Sequence, residues 1–61
     1  MTTNEPERDL KLLIIEDHPI VRQGLMRALE ASGFRQIFEA GSCNEGRGQL
    51  AKVNPDILIT D

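Results

Sequence analysis

Apolar positions in this chain cluster into two continuous runs and one helical stripe. The first run, Leu12-Leu13-Ile14-Ile15, does not alternate with polar residues and stops at Glu16-Asp17. The second, Ile57-Leu58-Ile59-Thr60, stops at Asp61. Short unbroken runs rich in Ile and Leu mark strands covered on both faces, which predicts a parallel sheet. Between the runs, Val21, Leu25 and Leu29 recur every four residues with Ala28 beside them. That spacing gives one apolar stripe on a helix from Ile20 to about Ala31. His18-Pro19 marks its start, because Pro at the first helical position gives up no needed N–H. Gly33 is placed to end it in a left-handed cap.

Gln36-Ile37-Phe38-Glu39-Ala40 reads as a short edge strand, and Gly41-Ser42 as a turn with Ser42 a candidate N-cap. Cys43 to Lys52 is a helix by position. It is expected to be weak or irregular, since Gly46 and Gly48 each cost about 1 kcal/mol relative to Ala, and to be held mainly by Leu50, Ala51 and Val53. Asn54-Pro55 is a break. Residues 1–9 are polar and without periodicity, and read as a flexible N-terminal tail.

The predicted order is βαβαβ. Crossovers between parallel strands are right-handed. The two helices therefore take opposite faces if the winding reverses after the second strand. The first strand is then central, the parallel order is 2-1-3, and the acids ending the first and third strands become neighbours. In open parallel sheets, ligands bind beyond the carboxyl ends of the strands, where the winding reverses.

Size and charge narrow the classes. At 61 residues the chain is one small domain at most, of a size that buries only about 60% of its unfolded surface. A half-domain fits that length. Seven scattered basic residues against ten acidic ones, a net charge of -3, argue against nucleic acid as a partner of this segment, because phosphate binding wants clustered Lys and Arg. The single Cys43 allows no intrachain disulfide, which favours a reducing, cytoplasmic setting. No apolar run approaches the roughly 18 residues that span a bilayer.

Neighbouring strands lie about 4.8 Å apart, so three acids on adjacent strand ends repel one another and invite a cation. Mg²⁺ suits such a place, since it takes oxygen ligands and commonly binds through one or two carboxylates plus a phosphate. A carboxylate there can attack phosphorus and form an aspartyl-phosphate. Blander readings stand beside this one. Glu16-Asp17 can be a solvated strand end with Asp17 capping the helix, and His18 a rim residue or cap. Gly41 to Gly48 faintly suggests a phosphate loop, but Arg47-Gly48 stands where Lys-Ser/Thr is needed. Cys43 reads as a partly buried structural thiol. Arg22 and Arg27 are expected on the wet face of the first helix, with Arg27 pairing Glu30.

Glu16-Asp17-His18-Pro19-Ile20-Val21-Arg22-Gln23-Gly24-Leu25, followed downstream by Pro55-Asp56-Ile57-Leu58-Ile59-Thr60-Asp61, resembles the receiver domain of bacterial two-component response regulators. The Glu-Asp-His-Pro opening is most like receivers that precede a LuxR-type helix-turn-helix output domain. The resemblance covers about residues 10–61. It implies a partial flavodoxin-like α/β fold in which Asp61 accepts a phosphoryl group from a histidine kinase. Glu16, Asp17 and Asp61 would hold Mg²⁺, with Asp17 the more direct ligand of the first two. DNA would be contacted through an output domain outside this segment.

The same resemblance implies five strands, and three are seen here. The Ser or Thr ending the fourth strand, the Lys ending the fifth, and the carbonyl two residues beyond the acceptor have no counterparts. The segment therefore reads as the N-terminal half of a receiver, expected to be a poor phosphoacceptor. Its third strand would be an uncovered apolar edge, expected to dimerise or to leave the chain largely unfolded. The alternative is a non-catalytic oligomerising interaction module derived from a receiver fold. A weaker option is a phosphatase using an acid-tipped strand.

Overall fold

The computed structural model describes residues 9–60. The elements are β1 (Lys11–Ile15), α1 (Pro19–Ala31), β2 (Gln36–Ala40), α2 (Cys43–Val53) and β3 (Ile57–Thr60). Residues 1–8, most of the expected tail, lie outside the described residues, as does Asp61.

β1 occupies the middle of a three-stranded parallel sheet in the order β2-β1-β3, the order expected if the winding reverses after the second strand. Its interior explains its place. Leu12, Leu13 and Ile14 are almost wholly buried and, with Ala40 of β2, form the apolar core. On one side Lys11 to Ile15 pair with Gln36 to Ala40. On the other, Leu12 to Ile15 pair with Ile57 to Thr60. The carboxyl ends of all three strands are thus level.

The lower end of the sheet is pinned by Asp56. Its N–H donates to the Lys11 carbonyl at 2.8 Å, and its carboxylate accepts from the Lys11 N–H at 2.8 Å. β3 departs from its sequence pattern. The run Ile57-Leu58-Ile59 predicts a strand covered on both faces, yet Ile57 and Leu58 are 39% and 44% exposed. Among the described residues β3 borders β1 alone, and a strand covered by so little else cannot bury alternate side chains on either face.

α1 begins at Pro19 with His18 as N-cap. It ends where Gly33 takes φ 100°, a conformation open to glycine. There the Gly33 N–H reaches the Glu30 carbonyl at 3.0 Å and the Phe34 N–H reaches the Leu29 carbonyl at 3.2 Å, the paired bonds of a Schellman cap. The stripe residues Leu25 and Leu29 are half-buried, and no α1 residue is fully buried.

The expectation of an irregular second helix is corrected. α2 is an unbroken 11-residue helix. Ser42 Oγ accepts from the Glu45 N–H at 3.2 Å, satisfying one of the helix's orphan donors. Asn54 closes the other end at φ 55°. Leu50 and Ala51, expected to hold the helix, are exposed. The buried residue is Gly46. A Cβ there would stand 2.9 Å from Ile15 Cγ1 and closer still to its Cδ1. The glycine that weakens the isolated helix is what lets it lie against β1.

Candidate functional site at the carboxyl end of the sheet

Glu16 is the first residue beyond β1. Its N–H donates to the Ala40 carbonyl at 3.1 Å, carrying the β1–β2 ladder one step past the strand. That bond holds the side chain over the sheet end, where it is only 7% exposed. A carboxylate so placed needs a partner, and His18 supplies one. His18 Nδ1 lies 3.0 Å from Glu16 Oε1 and 2.9 Å from Asp17 Oδ1. The ring and the Asp17 carboxylate are both exposed. The imidazole makes no side-chain cap bond to α1; it turns toward the two acids instead. His18 is therefore both the backbone N-cap and a member of the acid cluster, so the rim or cap reading and the metal-ligand reading that a His beside two acids invites describe the same residue.

Glu16, Asp17 and His18 each offer a ligand atom, all within 4.8 Å of one another. Two carboxylates beside a turn fit a hard divalent cation such as Mg²⁺. The imidazole adds a nitrogen donor. Because Ile15 pairs with Thr60, the end of β3 is level with the root of this cluster. Asp61, the expected phosphoacceptor and third metal ligand, follows Thr60 in the sequence and lies outside the described residues.

Two clefts open at this end. One, about 360 Å³, is bounded by Glu16, Asp17, Gly41, Ser42, Cys43 and Thr60. It is the more polar of the two, set between the acid turn and the N-terminus of α2. The other, about 510 Å³, shares Glu16 and Thr60 but is walled by Val21, Leu25 and Ile59.

Three further expectations fail. Cys43 is exposed rather than partly buried, at the first position of α2. Arg22 is not on the wet face. Its side chain is 21% exposed, its Nε donates to Glu39 Oε1 at 2.7 Å and its Nη1 to the Glu16 carbonyl at 2.7 Å. A cation in the first turn of a helix faces the positive end of the helix dipole, so an Arg there calls for a nearby acceptor. That signal is present in the sequence. Arg27 and Glu30 are both exposed, and no ion pair joins them among the described residues.

No helix among the described residues is long and apolar enough to cross a membrane. No family model matches the chain, and no solved structure matches it significantly. Several curated proteins do. A nitrate/nitrite response regulator homologue of Haemophilus influenzae is 34% identical over 53 residues, covering 85% of this chain and 26% of its own length. The KDP operon transcriptional regulatory protein KdpE of Escherichia coli is 40% identical over 50 residues, covering 82% of this chain and 22% of its own. A protein-glutamate methylesterase/protein-glutamine glutaminase of Hahella chejuensis is 35% identical over 52 residues, covering 85% of this chain and 15% of its own. The chain thus spans about a quarter or less of the length of these relatives. Their names differ in output, gene control in one and ester or amide hydrolysis in another, so the shared segment is common to proteins that end in different chemistry. In sequence the chain is similar to response regulators over most of its own length, and its three parallel strands in the order 2-1-3 make a partial flavodoxin-like α/β arrangement consistent with a receiver segment.

Proposed function

We propose that residues 10–61 form the N-terminal half of a receiver module in which Asp61 takes a phosphoryl group from a histidine kinase. The observation that carries this reading is the level register of β1 and β3, with the buried Glu16 and the exposed Asp17 as the two residues that follow β1. In the proposed site Glu16, Asp17 and Asp61 hold Mg²⁺. The ion supplies charge neutralisation for the phosphoryl oxygens. Asp61 Oδ attacks phosphorus, one P–O bond forms, and the P–N bond to the kinase histidine breaks. Asp17, exposed at the mouth of the polar cleft, is the carboxylate that meets the ion from solvent. Glu16 lies deeper, its carboxylate 3.0 Å from His18 Nδ1. DNA binding belongs to a separate output domain, and the module works in the cytoplasm.

Magnesium titration followed through backbone amide resonances tests the reading. Saturable shifts at Glu16 and Asp17, lost in Asp17→Asn, are the expected result, together with an acid-stable, base-labile phosphoryl label that Asp61→Asn abolishes. A flat titration would overturn it. The second reading, a non-catalytic module that associates through β3, is favoured by the exposed Ile57 and Leu58 on an edge strand. It expects concentration-dependent sedimentation that Leu58→Lys removes, with no response to magnesium.

A further inference from the structure

The turn that carries the acids is tied down at more points than a solvated strand end requires. The Glu16 N–H is held by the Ala40 carbonyl, and the Glu16 carbonyl accepts from Arg22 Nη1 at 2.7 Å. The Arg22 backbone N–H donates to the His18 carbonyl at 2.9 Å. The Arg22 side chain therefore grips the Glu16 end of the three-residue turn; the main-chain bond to His18 is the first i→i−4 bond of α1, which any residue there would make. The guanidinium is in turn held by Glu39 of β2, whose Oε1 accepts from Nε at 2.7 Å. It also lies close over Gly41, where a Cβ would come within 3.1 Å of Nη1. α1, β1 and β2 are thus joined at a single side chain beneath the acid cluster.

We propose that Arg22 is a positioning residue. By bridging Glu39 to the Glu16 carbonyl it fixes the peptide planes from which the Glu16 and Asp17 carboxylates project, and so sets the affinity of that turn for a divalent cation. The inference rests on the reading of those carboxylates as metal holders. Its physical basis is pre-organisation: a turn already held in the binding geometry loses less freedom when the ion arrives. The bifurcated grip needs the fork of guanidinium donors, which a lysine ammonium does not have.

The sign of the effect separates positioning from simple charge. A cation near a metal site repels the metal, so if Arg22 acted through charge alone, Arg22→Ala would tighten magnesium binding. Positioning predicts the reverse, a loss of about tenfold, in the range seen when groups that orient metal ligands are removed.

The experiment is magnesium titration of the protein and of Arg22→Ala, Arg22→Lys and Glu39→Gln, read through the amides of residues 16–18, with thermal unfolding recorded for each. The expected result is weaker binding in Arg22→Ala and an intermediate loss in Arg22→Lys and Glu39→Gln. The Glu16 and Asp17 amides should already be displaced in the metal-free variants. A folded Arg22→Ala with unchanged or tighter binding and unmoved Asp17 amide overturns the inference while leaving the metal site standing. Should that variant fail to fold, Arg22→Lys decides, and wild-type affinity in it is equally fatal. If the unsubstituted protein does not bind magnesium, the metal reading fails first. The metal-free amide shifts of the turn then decide whether Arg22 orders it.

Discussion

The two helices reach the sheet by different means. α1 is the longer, with Pro19 at its start, a four-residue apolar spacing and a Schellman end, yet none of its residues is fully buried and Ile20 stands 82% exposed. α2 is shorter and less apolar, and it carries two glycines, but a capping serine starts it and Gly46 is buried against Ile15. An apolar stripe offers area to be covered. A glycine at the crossing point offers closeness, bringing backbone rather than side-chain tips against the core, where dispersion contacts are densest. α1 has the stripe and α2 the approach. The helix that propensity favours is the less tightly seated.

The largest test of that contrast is Gly46→Val. Helix propensity would tolerate it, but the new side chain has nowhere to go, since even a Cβ overlaps Ile15. A loss of at least about 2 kcal/mol is expected, in the upper part of the range for overpacked cores, seen as a lowered urea midpoint at constant slope. An unchanged midpoint would mean that α2 is not held at this distance. Ser42→Ala comes next. It removes the acceptor for the Glu45 N–H and should cost about 1 kcal/mol. The matching start of α1 has no side-chain cap bond to lose.

Two glycines serve as controls of opposite sign. At Gly48 in α2 and Gly24 in α1, an added Cβ would have nothing within 4 Å of it. Ala at either should therefore raise stability by up to about 1 kcal/mol through helix propensity alone. A gain at Gly48 beside a loss at Gly46, two positions away in one helix, would separate propensity from packing.

What the sequence disclosed follows from which interactions are local. The strand order was legible only in part: unbroken apolar runs name the strands, and right-handed crossovers give 2-1-3 only if the winding reverses after β2. The ends of α1 and α2 were legible at Gly33 and Ser42 because caps are read from neighbouring residues. The acid turn was legible for the same reason, Glu16 and Asp17 being contiguous with β1. The Arg22–Glu39 bond was not. It joins residues 17 apart, whose meeting depends on how far α1 runs over β2 once the register is set. Gly46 misled because propensity counts the cost of a glycine within its own helix and not the approach it permits to another element. β3 misled because an apolar run states what a strand can bury, not what is there to cover it.

The smallest expected effect bears on the outer face of α1. Ile20→Gln replaces a side chain that is 82% exposed and lies at the second position of the helix. With so little surface removed from water, the transfer term nearly vanishes, and the change should stay within about 0.5 kcal/mol, as at ordinary surface positions. The same substitution in Leu13, which is wholly buried, would be ruinous, so the pair calibrates the scale. A loss well above about 0.5 kcal/mol at Ile20, growing with protein concentration, would show that α1 is covered in solution by another copy. The looser seat of α1 would then reflect a second surface that it serves, and the contrast with α2 would be one of partners rather than of approach.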